Sequence, residues 1–148
     1  MFSFLLKIPA IISLILLAPV IFIAAVLIFI EDGNPIFFIQ KRIGKNLQIF
    51  NIYKLRTMQN NSPNLGTHEV NKSNYLKIGS FLRLSKIDEL PQLVNFIKGD
   101  LAIIGPRPGL DNQEVLKNER CIRKVFDVAP GISGLGQVLG YDMSNPLK

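Results

Sequence analysis

Hydrophobic side chains dominate the first thirty residues of the chain. Residues 8–30 form an uncharged run of 23 residues between Lys7 and the acidic pair Glu31-Asp32. A helix of this length can cross a bilayer core about 30 Å thick. The run is too long for the apolar region of a signal peptide, and no small-x-small cleavage site follows it. The pattern therefore predicts a membrane-embedded helical segment over residues 1–31.

Pro19 lies near the middle of this apolar run. A proline inside a helix removes a backbone donor and bends the chain. Two topologies are therefore open: a kinked helix that crosses the bilayer once, or a bend near Pro19 from which the chain returns to the same face. In the second, the freed carbonyls need partners within the protein, since lipid offers none. An excess of basic residues after the run predicts that the rest of the chain is cytoplasmic; these are Lys41, Arg42, Lys45, Lys54 and Arg56.

Short strands are predicted after a turn at Gly33-Asn34-Pro35. Residues 36–40 and 48–55 have the composition of two strands, joined by a basic, glycine-containing loop over residues 41–47. This predicts a β-hairpin. Residues 59–73 are polar and rich in Asn and Ser, and they predict a loop.

Helices and a further strand are predicted beyond this loop from the spacing of apolar side chains. One short helix ends near Arg83 and carries Tyr75, Ile78 and Leu82. Residues 101–104 form an apolar strand. Asp111 and Glu114 have the spacing of a capping box, which starts another helix, with one face formed by Val115, Leu116, Ile122 and Phe126. Residues 130–134 are expected to be a loop and residues 137–140 a last strand.

Two adjacent carboxylates, Asp88 and Glu89, precede Pro91. Proline is tolerated near a helix start, so a helix is predicted from about Asp88 to Lys98. Its buried stripe is predicted to comprise Leu90, Leu93, Val94 and Ile97. Free backbone N–H groups and the helix dipole at this end favour negative charge, so both acids are expected to be ionised. An ionised carboxylate can act as a nucleophile or metal ligand, but plain helix capping fits the same placement.

Three arginines are candidates for binding phosphate. Arg107 stands between prolines in Gly105-Pro106-Arg107-Pro108, and its restricted backbone suits bidentate phosphate recognition. A structural ion pair is the alternative for this residue. Arg56 could simply end a strand, and Arg83 could extend to lipid headgroups.

Composition narrows the chemistry further. The 148 residues include 17 basic and 11 acidic side chains, a net charge of +6, which suits nucleic acid, an anionic membrane or a phosphorylated substrate. Because the basic residues are scattered and lack a recognition helix, no nucleic-acid partner is expected. Cys121 is the only cysteine and His68 the only histidine. An internal disulfide, a cysteine zinc site and a multi-histidine metal cage are therefore excluded.

An acid pair combined with fixed arginines is typical of phosphoryl transfer, which needs neutralised phosphate charge and often Mg²⁺. A carboxylate can attack phosphorus and split one displacement into two. A hard cation bound through oxygen would suit the pair Asp88-Glu89. No Walker-type glycine loop is present in the sequence, so a nucleoside-triphosphate hydrolase is not supported.

Four stretches, taken in order, resemble the bacterial sugar transferases, the monotopic polyprenol-phosphate phosphoglycosyl transferases. They are residues 35–44, 50–58, 78–95 around the segment Asp88-Glu89-Leu90-Pro91-Gln92-Leu93, and 98–108 up to Gly105-Pro106-Arg107-Pro108. The segment at 130–134 continues the likeness. The resemblance runs from about residue 8 to the last residue.

The resemblance implies an α+β fold. A re-entrant membrane helix hairpin over residues 1–31, bent near Pro19, would precede a small cytosolic catalytic domain of short strands and amphipathic helices over residues 32–148. It also implies a location at the bacterial inner (cytoplasmic) membrane, with the catalytic domain on the cytosolic face. The family's Ser-Pro pair at the bend is Ala18-Pro19 here.

The resemblance further implies initiation of surface polysaccharide or glycoconjugate synthesis. Sugar-1-phosphate would move from a nucleotide-diphospho-sugar, expected to be a UDP-sugar, to polyprenol (undecaprenyl) phosphate. Asp88 would be the nucleophile that carries the phospho-sugar, and Glu89 would assist through Mg²⁺, held by Asp88 and Glu89, or through proton transfer. Membrane lipids are further expected partners. Substrate phosphate would be bound by Arg107 and by the basic side chains at matching positions, Arg83, Arg56, Lys54 and Arg42.

Two departures from the family pattern stand near the C-terminus. Tyr141 replaces an arginine that commonly follows the Gly-x-x-Gln-Val segment, and the chain ends at Lys148, where family members usually continue. The catalytic domain is therefore expected to be incomplete at the C-terminus. The alternative function is a non-catalytic, truncated membrane module that binds lipid headgroups or a protein partner.

Overall fold

A computed structural model describes residues 2–60, 74–110 and 113–134. Several expectations lie outside these residues: most of the polar loop with His68, Asp111 of the capping box, the strand at residues 137–140, and Tyr141. The described chain is a mixed α+β structure in which a long apolar N-terminal helix precedes small sheets and short helices.

The N-terminal helix α1 runs from Phe2 to Asp32 and contains both Pro9 and Pro19. Its segment Leu6–Asp32 is long and apolar enough, with a mean hydropathy of 3.1, to cross a membrane. Helical structure continues through Pro19, and the bend near this residue stays a prediction. A proline removes only one backbone donor, and the turns on either side can maintain the helix.

A three-stranded sheet has the order β2-β1-β4. Strand β1 covers Phe37–Ile43, β2 covers Ile49–Leu55 and β4 covers Gly109–Leu110. The predicted hairpin of β1 and β2 is confirmed, although β1 extends three residues further than expected and a 3₁₀ turn at Lys45–Leu47 occupies the loop. Strand β4 pairs antiparallel with β1, placing Arg42 opposite Leu110.

A second sheet joins β3 (Ala102–Ile104) to β5 (Gly131–Ser133) in parallel. Strand β3 was expected, but the expectation of a loop over residues 130–134 is wrong. Gly131 lies against Gly105 so closely that a Cβ on either glycine would overlap backbone atoms. A segment rich in Gly and Pro looks like a loop from its composition, but here the missing side chains permit the strand to approach this closely.

Three short helices complete the described fold: α2 (Lys77–Leu84), α3 (Gln92–Lys98) and α4 (Glu114–Ile122). Helix α2 confirms the prediction of a short helix that ends near Arg83 and carries Ile78 and Leu82, but Tyr75 lies before the helix and not on it. Helix α4 starts after Gln113, which makes no side-chain capping bond. Of the expected apolar face, Val115 is 70% and Ile122 is 76% exposed, whereas Phe126 is buried but lies beyond α4 in a 3₁₀ turn.

The start predicted for the acid-bearing helix is four residues too early. Residues Ile87–Glu89 form a 3₁₀ turn, and α3 begins only at Gln92. The predicted stripe of Leu90, Leu93, Val94 and Ile97 is half-buried. The side chains buried most deeply nearby are instead polar, Gln92 and Asn95.

Two compact units make up the chain. Unit 1 comprises Met1–Phe38 and Tyr53–Leu93, and unit 2 comprises Ile39–Ile52 and Val94–Lys148. In unit 1, Ala24 and Ile28 of α1 pack into a buried cluster with Leu55, Leu76 and Leu82. Helix α1 therefore shares a hydrophobic core with the end of β2 and with α2, and these two elements carry the candidate site residues Lys54 and Arg83.

Candidate active site

The acid pair lies in the 3₁₀ turn Ile87–Glu89 of unit 1. Lys86 precedes this turn in the left-handed conformation, with φ of 60°. Ile87 packs against the core cluster of unit 1, which fixes the turn from one side. Asp88 is buried, with 6% exposure, whereas Glu89 is half-buried. The two adjacent carboxylates therefore have different environments.

Burial raises the pKa of the Asp88 carboxyl above its ordinary value, because the charged form loses hydration. Lys54, Arg83 and Lys86 oppose this shift by favouring the carboxylate, while Glu89 adds to it. The expectation that a helix N-terminus holds Asp88 ionised is corrected: α3 starts beyond it, and basic side chains supply the opposing field. One oxygen, Oδ1 of Asp88, is buried without a hydrogen-bond partner among the described residues.

Lys54, at the end of β2, pairs directly with the second acid. Its Nζ donates to Oε1 of Glu89 at 2.8 Å. Both side chains are about one-fifth exposed, so water screens the ion pair in part. Lys54 thus neutralises Glu89 and also lowers the pKa of Asp88.

Arg83 of α2 is held in place by two side chains that sequence reasoning did not identify as part of the site. Its Nε donates to Thr57 Oγ1 at 2.8 Å, and its Nη1 donates to the Tyr75 hydroxyl at 2.9 Å. The guanidinium carbon lies 4.5 Å from the centroid of the Tyr75 ring, within the range of a cation–π contact. This orients a cation whose charge favours the ionised form of Asp88.

Arg56 lies at the C-terminal end of α1. Its Nη1 donates to the Asp32 carboxylate at 2.7 Å, and its Nη2 donates to the carbonyls of Asp32 and Gly33 at 3.2 and 2.8 Å. With 6% exposure, it is buried. A cation at this position satisfies carbonyls that a helix end leaves unpaired.

The remaining candidates, Arg42 and Arg107, belong to unit 2, where Arg120 of α4 joins them. Burial lowers the pKa of both Arg42 and Arg120, and the positive charge of Arg107, which is exposed, lowers each pKa further. Sequence reasoning missed Arg120, because an arginine on a polar helix normally indicates only a solvated surface. The separation of Arg107 and Arg120 along the sequence does not indicate that Arg120 contacts the Arg107 backbone.

The acid pair can contribute to a magnesium site but cannot form one alone. Among the described residues, no group of three or more His, Cys, Asp or Glu side chains is placed to hold a metal ion. Mg²⁺ commonly takes one or two carboxylates together with waters and substrate phosphates. The unpartnered Oδ1 of Asp88 fits that coordination.

Comparison with known proteins adds to this geometry. A family model described as "Bacterial sugar transferase" matches residues 4–147, nearly the whole chain. The chain belongs to the bacterial sugar transferase family. The resemblance drawn from the sequence motifs is therefore confirmed.

Members of this family that resemble the chain come from several bacteria. A UDP-N-acetylgalactosamine-undecaprenyl-phosphate N-acetylgalactosaminephosphotransferase of Aeromonas hydrophila is 37% identical over 146 residues, covering 89% of this chain and 32% of the relative. A UDP-glucose:undecaprenyl-phosphate glucose-1-phosphate transferase of Caulobacter vibrioides is 35% identical, covering 84% of this chain and 48% of the relative.

A third relative, the exopolysaccharide production protein ExoY of Sinorhizobium fredii, is 34% identical, covering 88% of this chain and 65% of the relative. The chain thus spans less than two thirds of the length of each of these three relatives. The names of the first two relatives place sugar-phosphate transfer to undecaprenyl phosphate within the family.

Proposed function

We propose that this sugar transferase moves a sugar-1-phosphate from a nucleotide-diphospho-sugar to polyprenol phosphate through a covalent intermediate on Asp88. The buried Asp88 carboxylate, which has an unpartnered oxygen and is surrounded by Lys54, Arg83 and Lys86, carries the proposal. A carboxylate oxygen without a competing hydrogen bond is available for bond formation, and nearby cations favour the ionised form while attracting phosphate.

The proposed reaction has two displacements at one phosphorus. An Asp88 carboxylate oxygen attacks the phosphorus attached to the sugar, the bond from that phosphorus to the bridging oxygen breaks, and nucleoside monophosphate leaves. Asp88 then holds an acyl phosphate that bears the sugar. A phosphate oxygen of polyprenol phosphate attacks the same phosphorus, and the Asp88 carboxylate is released to give polyprenyl diphospho-sugar. The carboxylate is regenerated, so the cycle balances.

The neighbouring side chains have supporting roles in this proposal. Lys54 holds Glu89 through the 2.8 Å ion pair and favours ionised Asp88. Arg83, fixed by Thr57 and Tyr75, presents positive charge to phosphate entering beside Asp88. Arg107 and Arg42 of unit 2 are assigned to substrate phosphate, as the family resemblance implies. Arg56 is assigned instead to the end of α1, since both of its Nη atoms donate to Asp32 and Gly33 there.

Magnesium fits the proposal as an ion bound by both the substrate and the protein. Asp88 and Glu89 would hold it, and when bound it would neutralise charge on the diphosphate of the donor. The chain's own contribution is to keep two carboxylates adjacent while Lys54 restrains one of them.

For membrane placement, we propose that α1 enters and leaves the inner membrane by its cytoplasmic face, bending at Pro19. The family resemblance and the position of Pro19 support this topology. Helical structure is continuous from Phe2 to Asp32, and a single crossing of the membrane is the alternative topology. Surface polysaccharide synthesis is the proposed context, and a UDP-sugar with undecaprenyl phosphate is the proposed substrate pair, by analogy with the relatives.

The function is tested by measuring transfer of labelled sugar phosphate from a panel of nucleotide-diphospho-sugars to polyprenol phosphate, with Mg²⁺ and with chelator. Asp88→Asn removes the nucleophile and is expected to abolish transfer. Asp127→Asn is the matched control, because Asp127 also lies in a 3₁₀ turn, at Val125–Asp127, but is exposed. It is expected to retain wild-type turnover.

Near-normal transfer by the Asp88→Asn variant would refute the assigned nucleophile. No transfer from any donor, together with binding of the wild-type chain to anionic vesicles, would instead favour the non-catalytic membrane module. Transfer that is unchanged in chelator would remove magnesium from the proposal without affecting Asp88.

A further inference from the structure

The turn that carries Arg107 is bound through three consecutive backbone carbonyls. The N–H of Gly131 donates to the carbonyl of Pro106 at 3.0 Å. Nη1 of Arg120 donates to the carbonyl of Arg107 at 2.9 Å, and Nη1 of Arg42 donates to the carbonyl of Pro108 at 3.2 Å. The three donors come from β5, α4 and β1, so separate elements of unit 2 converge on one turn.

These bonds hold a backbone that is already stiff. Pro106 and Pro108 have fixed φ angles and no N–H, so at these two residues the carbonyl is the backbone group that can be bound. Gly109 follows, and a Cβ on it would lie 3.1 Å from Nη1 of Arg120. The glycine therefore leaves space for the guanidinium to reach the Arg107 carbonyl. The Arg107 side chain itself stays exposed.

Three arginines, Arg42, Arg107 and Arg120, lie around this turn. Because like charges repel, a turn held for stability alone would not be expected to bring them together. Burial lowers the pKa of Arg42 to about 10 and also lowers the pKa of Arg120. The positive charge of Arg107 contributes to both shifts. Among the described residues, no carboxylate forms an ion pair with any of the three arginines. Three cations held together in this way favour an anionic ligand, which would relieve their repulsion.

We propose that Arg120 is a positioning residue: it fixes the Arg107 backbone through the Arg107 carbonyl, so that the Arg107 guanidinium is presented to the phosphates of the donor substrate. This rests on the proposed function for the identity of the donor. Arg42 binds the next carbonyl and is itself restrained, because its Nη2 donates to Gln40 at 2.6 Å. Arg120 and Arg42 thus bind the turn on successive residues.

The test compares kinetic constants of three variants. Arg120→Met keeps the apolar stem and removes both donor and charge, and it is expected to raise KM for the nucleotide-diphospho-sugar about 5- to 20-fold while kcat changes less than about 2-fold. Arg120→Lys retains a charged donor and is expected to recover most of the loss. Arg123→Met is the control, since Arg123 follows α4, is 74% exposed and pairs only with Glu119 among the described residues.

A second measurement does not depend on turnover. Binding of inorganic pyrophosphate, followed by calorimetry, is expected to weaken in Arg120→Met and not in Arg123→Met. Hydrogen exchange across residues 105–110 is expected to accelerate in Arg120→Met and not in Arg123→Met. If the wild-type chain transfers nothing, the proposed function fails, while these two measurements still decide the role of Arg120.

Three outcomes would overturn the inference. The first is an Arg120→Met variant whose KM and pyrophosphate affinity equal those of Arg123→Met. The second is an Arg120→Met variant in which kcat falls in proportion to the fraction of folded protein while KM is unchanged. That result would indicate that Arg120 only stabilises the fold. The third, should Arg120→Met fail to fold, is a folded Arg120→Gln variant whose turn exchanges hydrogen at the wild-type rate.

Discussion

At the scale of single residues, the environment of Asp88 combines two opposing effects. Burial disfavours its charge, while Lys54, Arg83 and Lys86 favour it. A carboxylate buried in this way costs stability once it ionises, because its pKa in the folded chain lies above the unfolded value. The cost is absent at low pH and appears as pH rises through the folded pKa. A buried acid retained despite this cost is typical of a functional site.

The role of Lys54 yields a prediction about pH. Because Lys54 lowers the pKa of Asp88, Lys54→Met should raise that pKa further. The nucleophile must be ionised, so the acidic limb of the kcat/KM profile for sugar-phosphate transfer should move to higher pH. The control is Lys98→Met, which removes an exposed lysine at the end of α3. A Lys54→Met profile that superimposes on the Lys98→Met profile would show that Lys54 does not act on Asp88.

At the scale of elements, α2 approaches Thr57 through a glycine. A Cβ at Gly79 would overlap the Thr57 carbonyl, while Leu76 N–H donates to that same carbonyl at 3.1 Å. The start of α2 is also capped by Glu31 of α1, which accepts from the N–H groups of Lys77 and Ile78 at 2.5 and 3.2 Å. These contacts place Arg83 within reach of Thr57.

Replacing Gly79 should therefore disturb both stability and the site. Gly79→Ala forces α2 away from Thr57 and is expected to destabilise the fold by about 1–3 kcal/mol. Ser80→Ala, at an exposed neighbour on the same helix, is expected to stay within about 0.5 kcal/mol of wild type. Thermal unfolding in detergent micelles measures both. Equal stability of the two variants would argue against close packing at Gly79.

The sequence predicted those elements whose apolar side chains recur at regular spacing, namely α1, the β1–β2 hairpin, α2 and β3. It failed where backbone contacts decide the structure. Pro91 suggested a helix start at Asp88, but Lys86 in the left-handed conformation begins a 3₁₀ turn there. The roles of Thr57, Tyr75 and Arg120 depend on contacts between distant segments, which leave no periodic trace in a single sequence.

At the scale of the whole molecule, the apolar helix is not merely an attached anchor. Ala24 and Ile28 of α1 lie in the same buried cluster as Leu55 and Leu82, while Leu16 and Ile30 are more than 70% exposed. One side of α1 thus packs within unit 1, and other side chains suit a lipid environment. Embedding α1 in the membrane would therefore hold the acid turn of unit 1 near the membrane surface, where a polyprenol phosphate lies.

The proposed re-entrant topology predicts that both ends of α1 face the cytoplasm. Ser3→Cys, in a background in which Cys121 is replaced by serine, should react with a membrane-impermeant maleimide from the cytoplasmic side only. The chain with its native Cys121, which is exposed, is the reference for that side. Labelling of the two positions from opposite sides would establish a single crossing and refute the bend at Pro19.

The central claim, covalent catalysis by Asp88, is tested most directly by intact-mass measurement after incubation with a nucleotide-diphospho-sugar in the absence of polyprenol phosphate. The wild-type chain should gain the mass of one phospho-sugar, located on the peptide that contains Asp88 and lost when polyprenol phosphate is added. Asp88→Asn should gain nothing. A chain that transfers sugar phosphate without this adduct, or an adduct that persists in Asp88→Asn, would contradict the account.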